Sequence, residues 1–312
     1  VSSAHLRQDP VAGYWVAFSK ERSERPIDFT GVTARTPSNK TCPFCPGNEH
    51  MTPPEWLRFV NGDSWTLRVV PNKYPALRES QGGLHDVIID SPLHARSFGL
   101  LPPETGPAVL NAAQRRFQTI GAQPAVQYIQ LFKNNGPGSG ASLEHPHSQI
   151  LALPAVPVQV QLEWDGAHRT GACPYCRLIE EAAPSGRLIE EDAEAVVLAP
   201  FAPRFAFETW VLPRAHESHF ERSQPPAVRA VGLALHRTLQ RLEALFDDAP
   251  YNFLLHTAPR HSAPSACYHW HIEILPRLGG IGGFEFGTGC YINTVLPEEA
   301  AAHLRSIGTG LR

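Results

Sequence analysis

Between residues 227 and 246 apolar side chains recur at steps of three and four. Val228, Val231, Leu235, Leu239, Leu242 and Leu245 fall on one stripe, which predicts a long helix with one buried face. Elsewhere the apolar residues come in short runs rich in Val, Ile, Tyr and Phe, broken by Pro, Asn and Gly, as strands do. These runs follow an order that repeats. The first half reads CPFC, VVPNKYPA, DVIIDSPLH, a polar helix-like stretch over residues 111–119, YIQLFKNNG and HPHSQILALP. The second half reads CPYC, VVLAPFAPR, ETWVLPRAH, the helix of 227–246, YNFLLHTAP and YHWHIEILP.

Two histidines keep the register of this repeat: His94 stands four residues before Phe98, and His216 four before Phe220. Self-similarity over such a length is the mark of a duplicated module. The expected fold is α+β, each module an antiparallel sheet with one helix. The modules are expected at residues 1–165 and 166–312, with residues 161–170 and Gly171 as the linker.

At 312 residues, 42% of them apolar, the chain can bury one large core or two packed domains. A formal net charge of −3 offers no basic excess for a nucleic-acid groove, so a small-molecule partner is expected. No apolar run approaches membrane-spanning length, and the first residues carry no secretory pattern. A cytoplasmic protein is the expectation.

Four of the six cysteines form two pairs, Cys42 with Cys45 and Cys173 with Cys176, each written Cys-Pro-aromatic-Cys. Cys267 and Cys290 stand apart and read as bystanders. A CxxC turn can be a redox dithiol, a plain turn or half of a zinc site. Zinc needs two further ligands, and the repeat supplies them in register: His94 and His145 for the first pair, His216 and His269 for the second. His219 competes with His216. A site closed by four protein ligands would be structural.

The segment NNGPGSGASLEHPHSQ carries the most chemistry. Its Gly136, Gly138 and Gly140 can bring backbone N–H groups close to anionic oxygens. In a strand His145 and His147 would share a face, with Pro146 marking an end, so one imidazole can hold a metal while the other meets substrate. A neutral imidazole is a competent nucleophile toward phosphorus.

With these residues in view, HPHSQ resembles the HxHxQ signature of the transferase branch of the histidine-triad superfamily. The whole chain resembles galactose-1-phosphate uridylyltransferases and related ADP-sugar phosphorylases. The resemblance implies that His145 ligates zinc, that His147 becomes nucleotidylated, and that Gln149 holds the transferring phosphoryl group where hydrolase members carry a histidine. It implies substrate-phosphate contacts for Arg22 and Arg25 in DPVAGYWVAFSKERSERP and a nucleoside contact for Asn72. It implies substrate contacts for Asn134, Gly140 and Ser142, the last two near phosphate. Nucleotide-sugar and sugar 1-phosphate substrates follow, and a homodimer is the expected assembly.

The departures from the pattern are informative. GGFEFGTGCYIN keeps a glutamate, Glu285, at the sugar-holding position but lacks the family's downstream glutamine. This segment and the second CPYC resemble the ADP-glucose phosphorylase-like branch. The second module places His271 at the nucleophile-equivalent position with Glu273 where Gln149 sits, and it lacks the glycine loop, so it is expected to be silent. The leading expectation is ping-pong transfer of a nucleoside monophosphate from an NDP-sugar to a sugar 1-phosphate. Adenylyl transfer from an ADP-sugar to inorganic phosphate, and a zinc-built nucleotide-sugar binding protein without chemistry, are the alternatives. Gln149 disfavours hydrolysis.

Overall fold

The computed structural model describes residues 5–24, 42–95, 97–169 and 171–308. Arg25 lies outside them. Ten of its strands form one sheet in which every neighbouring pair is antiparallel, in the order β3-β4-β5-β7-β6-β11-β12-β10-β9-β8. From the first half come β3 (Leu57–Asn61), β4 (Ser64–Pro71), β5 (Leu84–Ile89), β6 (Tyr128–Asn135) and β7 (His147–Leu153). From the second come β8 (Leu188–Glu191), β9 (Ala195–Leu198), β10 (Thr209–Pro213), β11 (Tyr251–His256) and β12 (His271–Pro276). The halves join where β6 pairs with β11, Leu254 opposite Phe132. Outward from that pair the order is β7, β5, β4, β3 on one side and β12, β10, β9, β8 on the other.

Alternation along each strand gives the sheet two apolar faces. Leu67, Val69, Ile88, Leu131 and Ile150 point to the face covered by α1 (Thr105–Ile120) and α4 (Pro225–Phe246), and with Val231, Leu235 and Leu239 of the expected helix they make the largest core. The helices cross at glycines: a Cβ on Gly106 would lie 2.1 Å from the Gly232 carbonyl oxygen. On the other face Val70, Val87 and Ile89 pack under the CPFC turn. Further along that face Val196, Leu198, Trp210 and Leu212 pack with residues of α2 (Val158–Arg169) and α3 (Pro174–Ala182).

Two features differ from the sequence expectation. Residues 161–169, expected as linker, belong to helix α2, which runs across the expected boundary at 165 and 166. The reason is packing. Val160 and Ala167 are buried, Glu163 is engaged by second-half residues, and Gly166 approaches Val11 so closely that a Cβ would lie 1.8 Å from its carbonyl oxygen. The N-terminal strands β1 (His5–Gln8) and β2 (Trp15–Phe18) lie apart from the large sheet. They join β13 (Tyr291–Asn293), which runs parallel to β2. The remaining helices are α5 (Gly283–Thr288) and α6 (Pro297–Ser306). No described helix is long and apolar enough to cross a membrane.

Candidate functional site

Strand β7 begins at His147, directly after Pro146, which has no N–H to give a ladder. Its neighbours are β5, where Gln149 sits opposite Val87, and β6, where Gln149 sits opposite Phe132. His147 and Gln149, two residues apart, reach the same side of the sheet and line one cleft with Phe44, Pro53, Val70, Asn72, Lys73 and Ser142. The cleft is walled by the CPFC turn, by the chain after β4, and by Ser142 and Leu143 just beyond the glycine loop that follows β6.

The His147 ring is oriented by its own backbone. Nδ1 lies 2.8 Å from the His145 carbonyl oxygen, an acceptor, so the proton sits on Nδ1 and Nε2 keeps its lone pair. Burial and the Lys133 ammonium hold His147 below the ordinary imidazole pKa. The ring is therefore neutral near pH 7, the state in which it can attack.

Beneath the histidine lies a buried ion pair that the sequence did not announce. Lys133 Nζ is 2.8 Å from Asp90 Oδ2 and 3.0 Å from the His147 carbonyl oxygen, and the Ser148 hydroxyl donates to the same Asp90 oxygen at 3.3 Å. Lys133→Met would leave the Asp90 carboxylate dry and unpaired, and breaking such a pair costs about 3–5 kcal/mol. The expected result is a large drop in the denaturant midpoint, partly recovered when Asp90→Asn is added. An unchanged midpoint would refute the account.

The glycine loop takes backbone angles that a side chain resists, with φ of 77°, 84° and 90° at Gly136, Gly138 and Gly140. Asn134 donates to the Gly140 carbonyl at 3.3 Å. Asn252, from β11 of the second half, donates to Asn134 Oδ1 and to the Ser139 carbonyl, each at 2.8 Å. The second half thus braces the loop of the first.

Two clusters of sulfur and nitrogen stand close to the sheet. Cys42, Cys45, His94 and His145 each offer a ligand atom within 4.8 Å of the others, and so do Cys173, Cys176, His216 and His269. In the first, Cys45 Sγ is 3.3 Å from His94 Nδ1 and 3.5 Å from His145 Nδ1, while His145 Nε2 donates to the Ser91 carbonyl at 2.8 Å. That outer hydrogen bond leaves Nδ1 as the free donor atom. Burial lowers His145 to about 4 and, with the Cys42 sulfur, raises Cys45 to about 11. In the second cluster Cys176 Sγ is 3.4 Å from His216 Nδ1 and 3.6 Å from His269 Nδ1. His219 is elsewhere, hydrogen-bonded to Ser218 and Ser262. Both sets combine thiols and imidazoles as a small tetrahedral cation requires.

The other expected residues are dispersed. Arg22 is exposed on the short helical turn Lys20–Glu24 and does not line the cleft. Glu285 caps α5, accepting from the Gly282 N–H at 2.9 Å, and does not line it either. His271 is fully buried, 4.8 Å from the Tyr175 ring and 4.9 Å from the Trp210 ring. Around it Glu163 accepts from His256 and Tyr268, and Glu273 accepts from Arg204 at 2.5 Å. Glu163, His256, His271 and Glu273 also lie within metal-binding reach of one another; His256 and both carboxylates are engaged by these partners, whereas His271 Nε2 stands 3.8 Å from Glu273 Oε1.

This geometry can be set beside known proteins. A curated relative, the ADP-glucose phosphorylase of Arabidopsis thaliana, is 39% identical over 98% of this chain and 93% of its own length. The chain belongs to the family of ADP-glucose phosphorylases and galactose-1-phosphate uridylyltransferases, within the histidine-triad superfamily. Membership makes it an enzyme of the nucleotidyltransferase and phosphorylase kind. The crystal structure of an ADP-glucose phosphorylase from the same plant, with bound ADP-glucose, superposes with a TM-score of 0.87 over 98% of this chain and 100% of that one. The Thermotoga maritima galactose-1-phosphate uridylyltransferase is 27% identical over 96% of this chain and 97% of its length. A uridylyltransferase structure gives a TM-score of 0.76 at 27% identity, covering 96% of this chain and 97% of its own. A domain of unknown function, DUF4921, matches residues 94–307, and the N-terminal domain of another, DUF4931, matches residues 31–156. Within this family the comparisons favour the phosphorylase alternative over the uridylyl-transfer expectation.

Proposed function

We propose that the chain phosphorolyses an ADP-sugar. His147 Nε2 attacks the α-phosphorus of ADP-glucose and forms an N–P bond as the bond to the β-phosphate oxygen breaks, releasing glucose 1-phosphate. Inorganic phosphate then takes the AMP from the histidine, giving ADP and regenerating the neutral ring. The observation that carries this reading is the identity of 39% to an ADP-glucose phosphorylase across almost the whole chain, against 27% to a uridylyltransferase of similar coverage. The neutral, oriented His147 in an open cleft supports the chemistry.

The remaining roles follow from that reading. Gln149 holds the transferring phosphoryl group, Gly140 and Ser142 sit near phosphate, and Asn134 supports their loop. Asn72 contacts the nucleoside, and Arg22, Arg25 and Glu285 meet substrate in the assembled homodimer. Cys42, Cys45, His94 and His145 would hold one zinc ion and Cys173, Cys176, His216 and His269 a second. Zinc closed by four protein ligands supplies rigidity and no open coordination position. The two halves, whose expected division at 165 and 166 falls inside α2, are two tandem histidine-triad-like modules. The burial of His271 and the loss of the glycine loop leave the second silent.

The test is intact-mass analysis after incubation with ADP-glucose or UDP-glucose, followed by product analysis with phosphate or galactose 1-phosphate. An AMP adduct discharged by phosphate to ADP is expected. A UMP adduct discharged only by galactose 1-phosphate would select uridylyl transfer, and no adduct with either donor would select a binding protein.

A further inference from the structure

Behind Gln149, outside the cleft lining, stands a histidine that the sequence did not single out. The backbone N–H of Ala76 meets His85 Nδ1 at 3.0 Å. An amide N–H only donates, so Nδ1 carries a lone pair and the proton of the neutral ring is on Nε2. Nε2 is 2.9 Å from Gln149 Oε1. The ring therefore donates to the carbonyl end of the Gln149 amide and turns its NH2 end away from His85. Burial lowers the pKa of His85, which keeps the ring in the neutral form that this pattern needs. Asn72 lies alongside, its Oδ1 accepting from the Tyr74 N–H at 2.9 Å; its Nδ2, 3.2 Å from His85 Nε2, is itself a donor, so the Nε2 proton goes to Gln149 Oε1 and not to Asn72.

We propose that His85 is a positioning residue: through the Ala76–His85–Gln149 relay it fixes which end of the Gln149 amide faces the phosphoryl group. Phosphoryl oxygens only accept, so the two N–H donors of the amide favour transfer, whereas its carbonyl oxygen would repel the charge developing there. The inference rests on the nucleotidyl-transfer reading above.

The experiment measures single-turnover adduct formation with ADP-glucose, with UDP-glucose as a parallel arm, alongside melting temperature and metal content. His85→Gln can accept from Ala76 and donate to Gln149, and should keep most of the wild-type rate. His85→Ala frees the amide to turn, and the phosphoryl group can still select the NH2 end, so a loss of only about fivefold is expected from a hydrogen bond of ordinary strength. His85→Glu only accepts when ionised. It should draw the NH2 end toward itself, turn the carbonyl onto the phosphoryl group and cost about 100-fold, as the loss of an oriented donor does. These losses should fall on the rate constant and leave the half-saturating ADP-glucose concentration unchanged.

In a Gln149→Ala background no amide remains to be oriented, and the three variants should become nearly equal. Were the His85→Glu penalty to persist there undiminished, direct repulsion of substrate would explain it and the relay would be wrong. A His85→Glu protein with wild-type rate would also overturn it. Should His85→Glu fail to fold, the comparison of His85→Ala with His85→Gln in the two backgrounds still decides. Wild-type protein that forms no adduct with either donor would overturn the transfer reading and this inference together, whereas normal wild-type labelling with undiminished losses sinks the relay alone.

Discussion

His147→Asn is expected to abolish both adduct formation and net phosphorolysis, by more than about four orders of magnitude, as removal of a covalent nucleophile does elsewhere. The effect should be this large because the reaction has no second route. Among the described residues the cleft lining contains one imidazole, that of His147, and His271, at the corresponding place on β12, is sealed between Tyr175 and Trp210. Asparagine can still donate to the His145 carbonyl, so the local backbone should persist. Melting temperature and metal content should stay at wild-type values, separating lost chemistry from lost structure. His147→Gly opens space at the same point, and added imidazole should restore part of the activity. Peptide mapping of the wild-type adduct to the segment around His147 gives the direct test. A fully active His147→Asn enzyme would end the proposal.

Removal of metal is expected to unfold the first half rather than slow one catalytic step. Cys42 and Cys45 lie on the turn before β3, His94 follows β5 and His145 precedes β7, so one ion would tie three separate chain segments together. The apolar contacts that also hold the turn are few, chiefly Phe44 and Trp65 on Val70, Val87 and Ile89. Structural zinc in small sites contributes about 10 kcal/mol or more of apparent folding free energy, comparable to the whole stability of a domain. Chelation should therefore lower the melting temperature steeply, and Cys42→Ser should lose one equivalent of metal and fold poorly. Phe44 packs 5.3 Å from the His147 ring, so activity should fall with the turn. Cys173→Ser should remove the other equivalent. Stripped protein that kept its melting transition would show that the thiol and imidazole clusters stand without an ion. A metal ratio near one in the intact protein would confine the ion to a single cluster.

A good part of this arrangement is legible in the sequence alone. Helix α4 was legible because its stripe is a local periodicity. The paired CxxC turns, each with two histidines in register, were legible because the same spacing stands twice in the chain. The glycine loop and HPHSQ were legible because the chemistry is contiguous in the chain. Tertiary structure decided the rest. His85, 64 residues from Gln149, meets it only because β5 and β7 are neighbours in this register. Lys133 and Asp90 look like ordinary surface residues until β6 carries the lysine beneath His147. Asn252 braces a loop of the other half, a contact that exists only through the β6–β11 pairing. The repeat register favoured His216 over its rival His219, and the fold of their loop places His216 in the cluster and turns His219 to Ser218 and Ser262. Residues 161–169 read as linker because their burial comes from Val11, His256 and Tyr268, residues more than 90 positions away in the last two cases. Sequence spacing encodes what one segment does to itself; strand order and register set which distant side chains meet, and they follow from the burial of the whole sheet.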